Sequence, residues 1–278
     1  MLIDAEIAIK ELTSRGIKLP PQPKVLVELK AKLASENYKM SDLARIISSD
    51  PGITAMLFKL ARSPAFSCGK ELSSIEQVLM LIGVKQTYNL VQAISISTGL
   101  SDCSRKSFEI FWSRSQEVAQ LAALIAEERV SVCNIFPDQA YMAGIFHECG
   151  VPLLMMRFPS YCGKLFLDTN TSSPRLIDED ALFNVDHCSI GYLVGRHWNL
   201  PDFICKSILY SQEMPNEEIG AARTLLAILQ LAMNFHRRIT RTDQQDWLKI
   251  RNIVLAELGI PKDDEQEYYE EISQRFYG

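Results

Sequence analysis

Four histidines in 278 residues leave little imidazole for metal chemistry. No CxxC pair occurs, which excludes a zinc ribbon or a thioredoxin-like redox site. The seven cysteines (Cys68, Cys103, Cys133, Cys149, Cys162, Cys188 and Cys205) are odd in number and scattered, as expected of reduced, buried thiols in a cytoplasmic protein. No window reaches the ~18 uncharged apolar residues that a membrane span needs. No basic-then-apolar opening marks a leader peptide, so neither membrane nor export is expected. No clustered basic run is present either, and the net charge is −5. Nucleic acid is therefore an unfavoured partner, although an acidic average leaves room for a local basic groove. Hairpin signals, fixed-period repeats and low-complexity tracts are also missing.

What is present is helical periodicity, in a composition that is 47% hydrophobic and 23% charged, as in ordinary globular proteins. "LPPQPKVLVELKAKLAS" sets Val25, Leu29 and Leu33 on one helical face. In "SSDPGITAMLFKLARS", Asp50 is placed to cap a helix with Pro51 in its first turn, and Ile53, Met56, Leu57 and Leu60 form the stripe. In "SSIEQVLMLIG", Ser73 and Glu76 have capping-box spacing and Gly83 is the stop. Residues 85–98 are read as a helix despite the alternation in "AISIST". "SFEIFWSRSQEVAQLAALIAEERV" is apolar over more than half its circumference, which predicts a central helix with neighbours on several sides.

"FPDQAYMAGIFHECG" starts a helix at Pro137 and is expected to end it at Gly150. Residues 158–175 read as a loop with room for a short helix. "VDHCSIGYLVGRHWNLPDFICKSILY" predicts two helices joined at "WNLP", with Gly191 and Gly195 marking close packing. "EEIGAARTLLAILQLAMNFHRR" is a further core helix, and the charged amphipathic segments after it suit a C-terminal cover. The fold class is all-α, divided into an N-terminal lobe (1–104), a core (105–240) and covering helices (241–278).

Two histidines abut carboxylates, as His147-Glu148 and Asp186-His187. Adjacent helical residues point about 100° apart, so a pair like "HE" can serve one metal only at a terminal turn. Close to Gly150, His147 has that position. The plainer reading is a core histidine bonded to the unpaired carbonyls of the last turn. Cys149 and Cys188 beside these histidines read as buried filler, because a thiolate nucleophile needs a positioned base. Trp198 reads as packing between the lobes. Arg237, Arg238 and Arg241 complement a helix C-terminus or could meet phosphate.

From Leu19 to about Tyr277 the chain resembles the HDOD family, a signalling branch of the HD phosphohydrolase superfamily. The resemblance is carried by "LPPQP", "IISSDPGITAMLFKLARSPAF", "SSIEQVLMLIGV", "FWSRSQEVAQLAALIA", "YMAGIFHECGVPLL", "VDHCSIGYLVGRHWNLPDFICKSI" and "ARTLLAILQLAMNF" in that order. It implies a multi-helix bundle whose C-terminal lobe derives from the HD core. It also implies where the superfamily's metal ligands fall: the first His at Arg114, the His-Asp pair at His147 and Glu148, and the later His at His187. The "YSQE" position offers Ser211 and Gln212, and the closing Asp falls at Met233. Any retained metal site is thus reduced to His147, Glu148 and His187. Arg114 brings a permanent cation, and Met233 a thioether that suits neither magnesium nor manganese.

The expectation is a degenerate site with no cofactor, in which Arg114 pairs with Glu148 or Asp186 in place of a metal. The function expected is a non-catalytic signalling module with a protein partner. One alternative is a metal-dependent phosphohydrolase acting on a nucleotide or phosphate ester. Another is a nucleotide sensor in which Arg114 contacts phosphate without hydrolysis.

Overall fold

Amphipathic helices need partner surfaces, and this chain supplies them from other helices alone. The structure, a computed structural model, describes residues 10, 13, 14, 16, 17, 22–35, 37–66, 72–99, 105–167, 173–215, 219–242 and 245–277. Among the described residues every regular element is helical. Leu19 to Pro21 of the "LPPQP" segment, Cys68, Cys103 and the expected lobe boundary at residue 104 lie outside them.

The first helices are α1 (Lys24–Ala34), α2 (Met40–Ser48) and α3 (Pro51–Ala61). The carboxylate of Asp50 accepts from the Ile53 amide at 3.0 Å, and Pro51 opens α3 as expected. Helix α4 (Ile75–Ile82) differs from expectation by one residue at its start. Ser74, not Ser73, is the cap: its hydroxyl accepts from the Gln77 amide at 3.2 Å. The Gln77 side chain in turn accepts from the Ser73 amide at 2.7 Å, taking the part assigned to Glu76. Two serines in a row give the helix a choice that spacing cannot make. Gly83 (φ 92°) ends α4, and α5 (Val84–Gly99) follows at once, so the "AISIST" stretch is helical.

Helix α6 (Arg105–Cys133) is the longest. Residues Leu121 through Ala126 are all at most 1% exposed, a run that covers the full circumference. That burial requires neighbours on all sides, which are α7 (Pro137–Phe146) and, later in the chain, α13 (Ala221–Thr240) and α15 (Glu265–Tyr277). Between them run α8 (Gly150–Arg157), α9 (Tyr161–Lys164), α10 (Leu176–Phe183), α11 (His187–His197) and α12 (Asp202–Leu209). Helix α14 (Gln245–Glu257) and a 3-10 turn (Lys262–Asp264) precede α15. The buried apolar residues from Ile17 to Ile272 form one cluster.

Two glycines set the spacing of the core. A Cβ on Gly144 of α7 would lie 2.4 Å from the Ala119 Cα of α6, so only hydrogen lets these helices come so close. Gly150 corrects the sequence reading, because it begins α8 and does not end α7, which stops at Phe146. A Cβ there would sit 2.1 Å from the carbonyl oxygen of His187. Its glycine character serves a close approach, which at sequence level looks the same as a stop. Trp198 is buried as expected, and its carbonyl accepts from Gln22 at 3.1 Å and Gln92 at 3.4 Å.

Candidate functional site

The early end of α7 leaves His147 and Glu148 on the turn that leads into α8. His147 is the C-cap of α7, its amide still bonded to the Ala143 carbonyl. Arg114 reaches them from the middle of α6, and His187 from the first turn of α11. All four side chains are buried.

Arg114 donates to one carboxylate oxygen of Glu148 twice, from Nε at 3.0 Å and from Nη2 at 2.6 Å. Burial pushes the Glu148 pKa up. Arg114, followed by His147 and His187, outweighs burial and holds the carboxyl well below the usual range. Glu148 is therefore ionised. Of the two partners the sequence offered Arg114, the structure uses Glu148. Asp186 caps α11, accepting from the Ser189 amide at 2.8 Å and the Ser189 hydroxyl at 2.6 Å.

The Nδ1 of His147 lies 2.6 Å from the Gly144 carbonyl oxygen and so carries the proton. Burial lowers the pKa of the ring, with Glu148 opposing, and keeps it neutral. Its Nε2 has no protein partner among the described residues, nor has Oε1 of Glu148, 3.8 Å away.

His187 is held by a residue with no motif to announce it. Glu179 of α10 accepts from the His187 amide at 3.1 Å and from Nδ1 at 2.6 Å, while its other oxygen accepts from the Tyr161 hydroxyl. Burial opposes charge on the His187 ring, but Cys188 and Glu179 outweigh it and raise the pKa well above the ordinary imidazole value. The Gln212 amide nitrogen stands 3.2 Å from Nε2 and also donates to the Pro174 carbonyl at 3.0 Å. A proton added at Nε2 thus requires Gln212 to turn its oxygen to the ring and give up Pro174. Ser211, also weighed from sequence, sits 3.1 Å from the Cys188 sulfur and serves packing. The Cys149 thiol, 3.8 Å from the Gly191 carbonyl, has its pKa pushed far up by burial and is no nucleophile.

Both histidines keep the orientation of metal-binding imidazoles, with Nδ1 bonded to a carbonyl or carboxylate and Nε2 turned away. The remaining donors do not fit a divalent metal. One oxygen of Glu148 is taken by Arg114, Nε2 of His187 by Gln212, and Met233 offers only sulfur. No cluster of three or more His, Cys, Asp or Glu side chains suited to a metal occurs among the described residues. The Arg114 guanidinium occupies the space beside the one Glu148 oxygen it bonds.

Beside this constellation lies a cleft of about 640 Å³, which His147 and Arg114 reach and Glu148 and His187 do not line. His147, Arg114, Gln212 and Met233 line it from the inside, and Lys164, Arg175 and Arg237 line it nearer solvent. His236 also lines it, with Nε2 3.0 Å from Glu117. Of these, only Arg237 and the ligand-position residues had drawn attention in the sequence. Glu179, eight residues before His187 in "LIDEDALF", could have been noticed as a carboxylate near the "DH" pair.

Residues 19–214 match the family model of the HDOD domain. The chain superposes on a Shewanella amazonensis SB2B protein named provisionally as a metal-dependent phosphohydrolase, with TM-score 0.71, 16% identity, and coverage of 98% of this chain and 97% of that one. It also superposes on a Marinobacter aquaeolei VT8 protein named provisionally for signal transduction, with TM-score 0.61, 19% identity, and coverage of 99% of this chain and 64% of that one. These two likenesses speak for the fold. An uncharacterized Treponema pallidum protein is 22% identical over 222 residues, which is 78% of this chain but 42% of that protein's length. Among the described residues no helix is long and apolar enough to cross a membrane.

Proposed function

The chain belongs to the HDOD family, and we propose that it is a non-catalytic regulatory module whose inherited metal centre has been replaced by an internal ion pair. The observation that carries this is the double hydrogen bond from buried Arg114 to Glu148. A hydrolase would need at that point a Lewis acid and a water held for attack. A guanidinium there is always protonated and cannot lower the pKa of a bound water as a metal does. What it does supply is the charge that keeps α6 and the α7–α8 turn together. The module would act in the cytoplasm through a signalling partner that reads the helical surface or the state of the cleft.

A second reading, a metal-dependent phosphohydrolase, draws on the retained orientation of His147 and His187. One experiment separates the two. The purified chain is incubated with manganese or iron, desalted, and assayed for metal content and for phosphate release from p-nitrophenyl phosphate. The regulatory reading expects substoichiometric metal and no turnover above buffer. Stoichiometric metal with turnover lost in His147→Ala would replace it with the second.

A further inference from the structure

The mouth of the cleft carries large apolar side chains that face solvent. Phe166 is 70% exposed and Leu182 43%, and both line the cleft. Phe166 also holds a left-handed backbone (φ 55°) at the end of α9, where the Leu167 amide bonds back to the Cys162 carbonyl at 3.0 Å. Glycine is the ordinary occupant of such a position. A bulky, exposed ring there is held at a cost, which points to a use for it.

Most charge around the mouth is paired. Arg175 lies 4.0 Å from Asp178, and Asp246, held by Lys249 at 2.9 Å, is also acted on by Arg237. Deeper in, Arg114 is balanced by Glu148, and His236 stands on Glu117. Lys164 is left over: it is exposed, 5.5 Å from the Phe183 ring, and has no carboxylate partner among the described residues. The mouth is thus apolar with a surplus of cations, on a chain whose net charge is −5.

The complementary character lies on α15. Glu267, Glu270 and Tyr277 follow at three- and seven-residue steps, which puts them on one face of the helix, with Glu271 next to them. All four are exposed, Tyr277 by 71%. Asp263 and Asp264 precede them on the 3-10 turn, beside the cation Lys262. None of these five carboxylates makes an ion pair among the described residues, and Arg275 of the last turn is engaged by Glu127 and Glu128. An acidic stripe with an exposed aromatic ring at its end matches an apolar, cationic mouth. Tyr277 does not line the cleft of its own chain, so the match is between copies.

We propose that the chain self-associates head to tail, with α15 of one copy laid across the cleft mouth of the next. Tyr277 packs between Phe166 and Leu182, and Glu267 and Glu270 meet the Lys164 side of the rim. Such a contact joins two different patches, so it does not stop at a pair but continues into a ring or an open chain. The inference goes beyond the regulatory reading and does not depend on it.

Sedimentation velocity of the full chain over a concentration series, at low and at high salt, tests this. At low salt the mass is expected to rise with concentration past that of a dimer. High salt, which screens the rim charges, should return it toward the monomer. Lys164→Glu and Glu270→Lys, both on exposed side chains, should each weaken association by about tenfold or more. Tyr277→Ala should weaken it as well. Mixed in equal amounts, the two charge variants should associate again, because the acidic rim of one takes the basic stripe of the other. A contact between two like rims would respond to Lys164→Glu and not to Glu270→Lys, and that result overturns the proposal. So does a monomer at every concentration, association that neither charge variant weakens, or a mixture that stays dissociated. Metal content and phosphate release are read separately and bear only on the regulatory reading.

Discussion

Arg114 and Glu148, 34 residues apart, form a buried ion pair through two hydrogen bonds to a single carboxylate oxygen. The pair joins the middle of α6 to the α7–α8 turn, so its removal has a definite signature. A buried charge that loses its partner is costly, whereas exchange of both partners for apolar groups often is not. Arg114→Met should destabilise the protein by about 3–5 kcal/mol, and Arg114→Met with Glu148→Leu should recover most of that loss. Urea unfolding of the parent, the single variant and the double variant measures it. A double variant no more stable than the single one would show that the pair is not the unit acting here.

The same pair sets a pH dependence. The folded-state pKa of Glu148 is held below its ordinary value of 4.5. As pH falls through that ordinary value, the unfolded chain takes up a proton that the folded chain does not. The stabilisation is therefore complete above about 4.5 and is lost as pH falls toward the folded value. Urea midpoints between pH 6 and pH 3 (about the range that spans a carboxylate titration) should fall more steeply in the parent than in the double variant. Parallel slopes would refute the assignment.

Glu179 is expected to govern His187. Glu179→Gln removes the carboxylate next to Nδ1 and should lower the His187 pKa, read from histidine ring signals by NMR. Tyr161→Phe takes one donor from the buried carboxylate and should cost about 1.5–3 kcal/mol, as for a hydrogen bond to a charged group. An unmoved His187 titration in Glu179→Gln would remove Glu179 from its role.

Gly144 offers a test by sign. Glycine to alanine inside a helix normally stabilises by about 1 kcal/mol. Here the added methyl meets the Ala119 backbone, so Gly144→Ala should destabilise by at least about 1–3 kcal/mol. Gly163 has nothing within 4 Å of its would-be Cβ, and Gly163→Ala should be neutral or mildly stabilising. Thermal unfolding of the two variants side by side decides it, and a stabilised Gly144→Ala would contradict the α6–α7 approach.

Local rules were enough wherever the cause lies within a turn or two of chain. Asp50 with Pro51, the start of α7 at Pro137 and the break at "WNLP" are of this kind. The failures have a common cause. Gly150 looked like a helix stop, yet what demands glycine there is the carbonyl of His187, 37 positions away in the chain. Ser73 and Ser74 are equally good caps by spacing, and the Gln77 amide donates to Ser74. Glu179 went unseen because a lone glutamate in an acidic helix looks like a solvated one, and only the positions of Tyr161 and His187 reveal it as buried.

By itself the sequence determined the all-α class and the central helix, which follow from apolar periodicity. That Arg114 and Met233 fall at ligand positions is what the resemblance to the HDOD family implies. Only the tertiary structure decided that Arg114 chooses Glu148 over Asp186 and that Glu179 orients His187. Pairings between distant helices depend on distances of a few tenths of an ångström, which packing sets and no local pattern encodes.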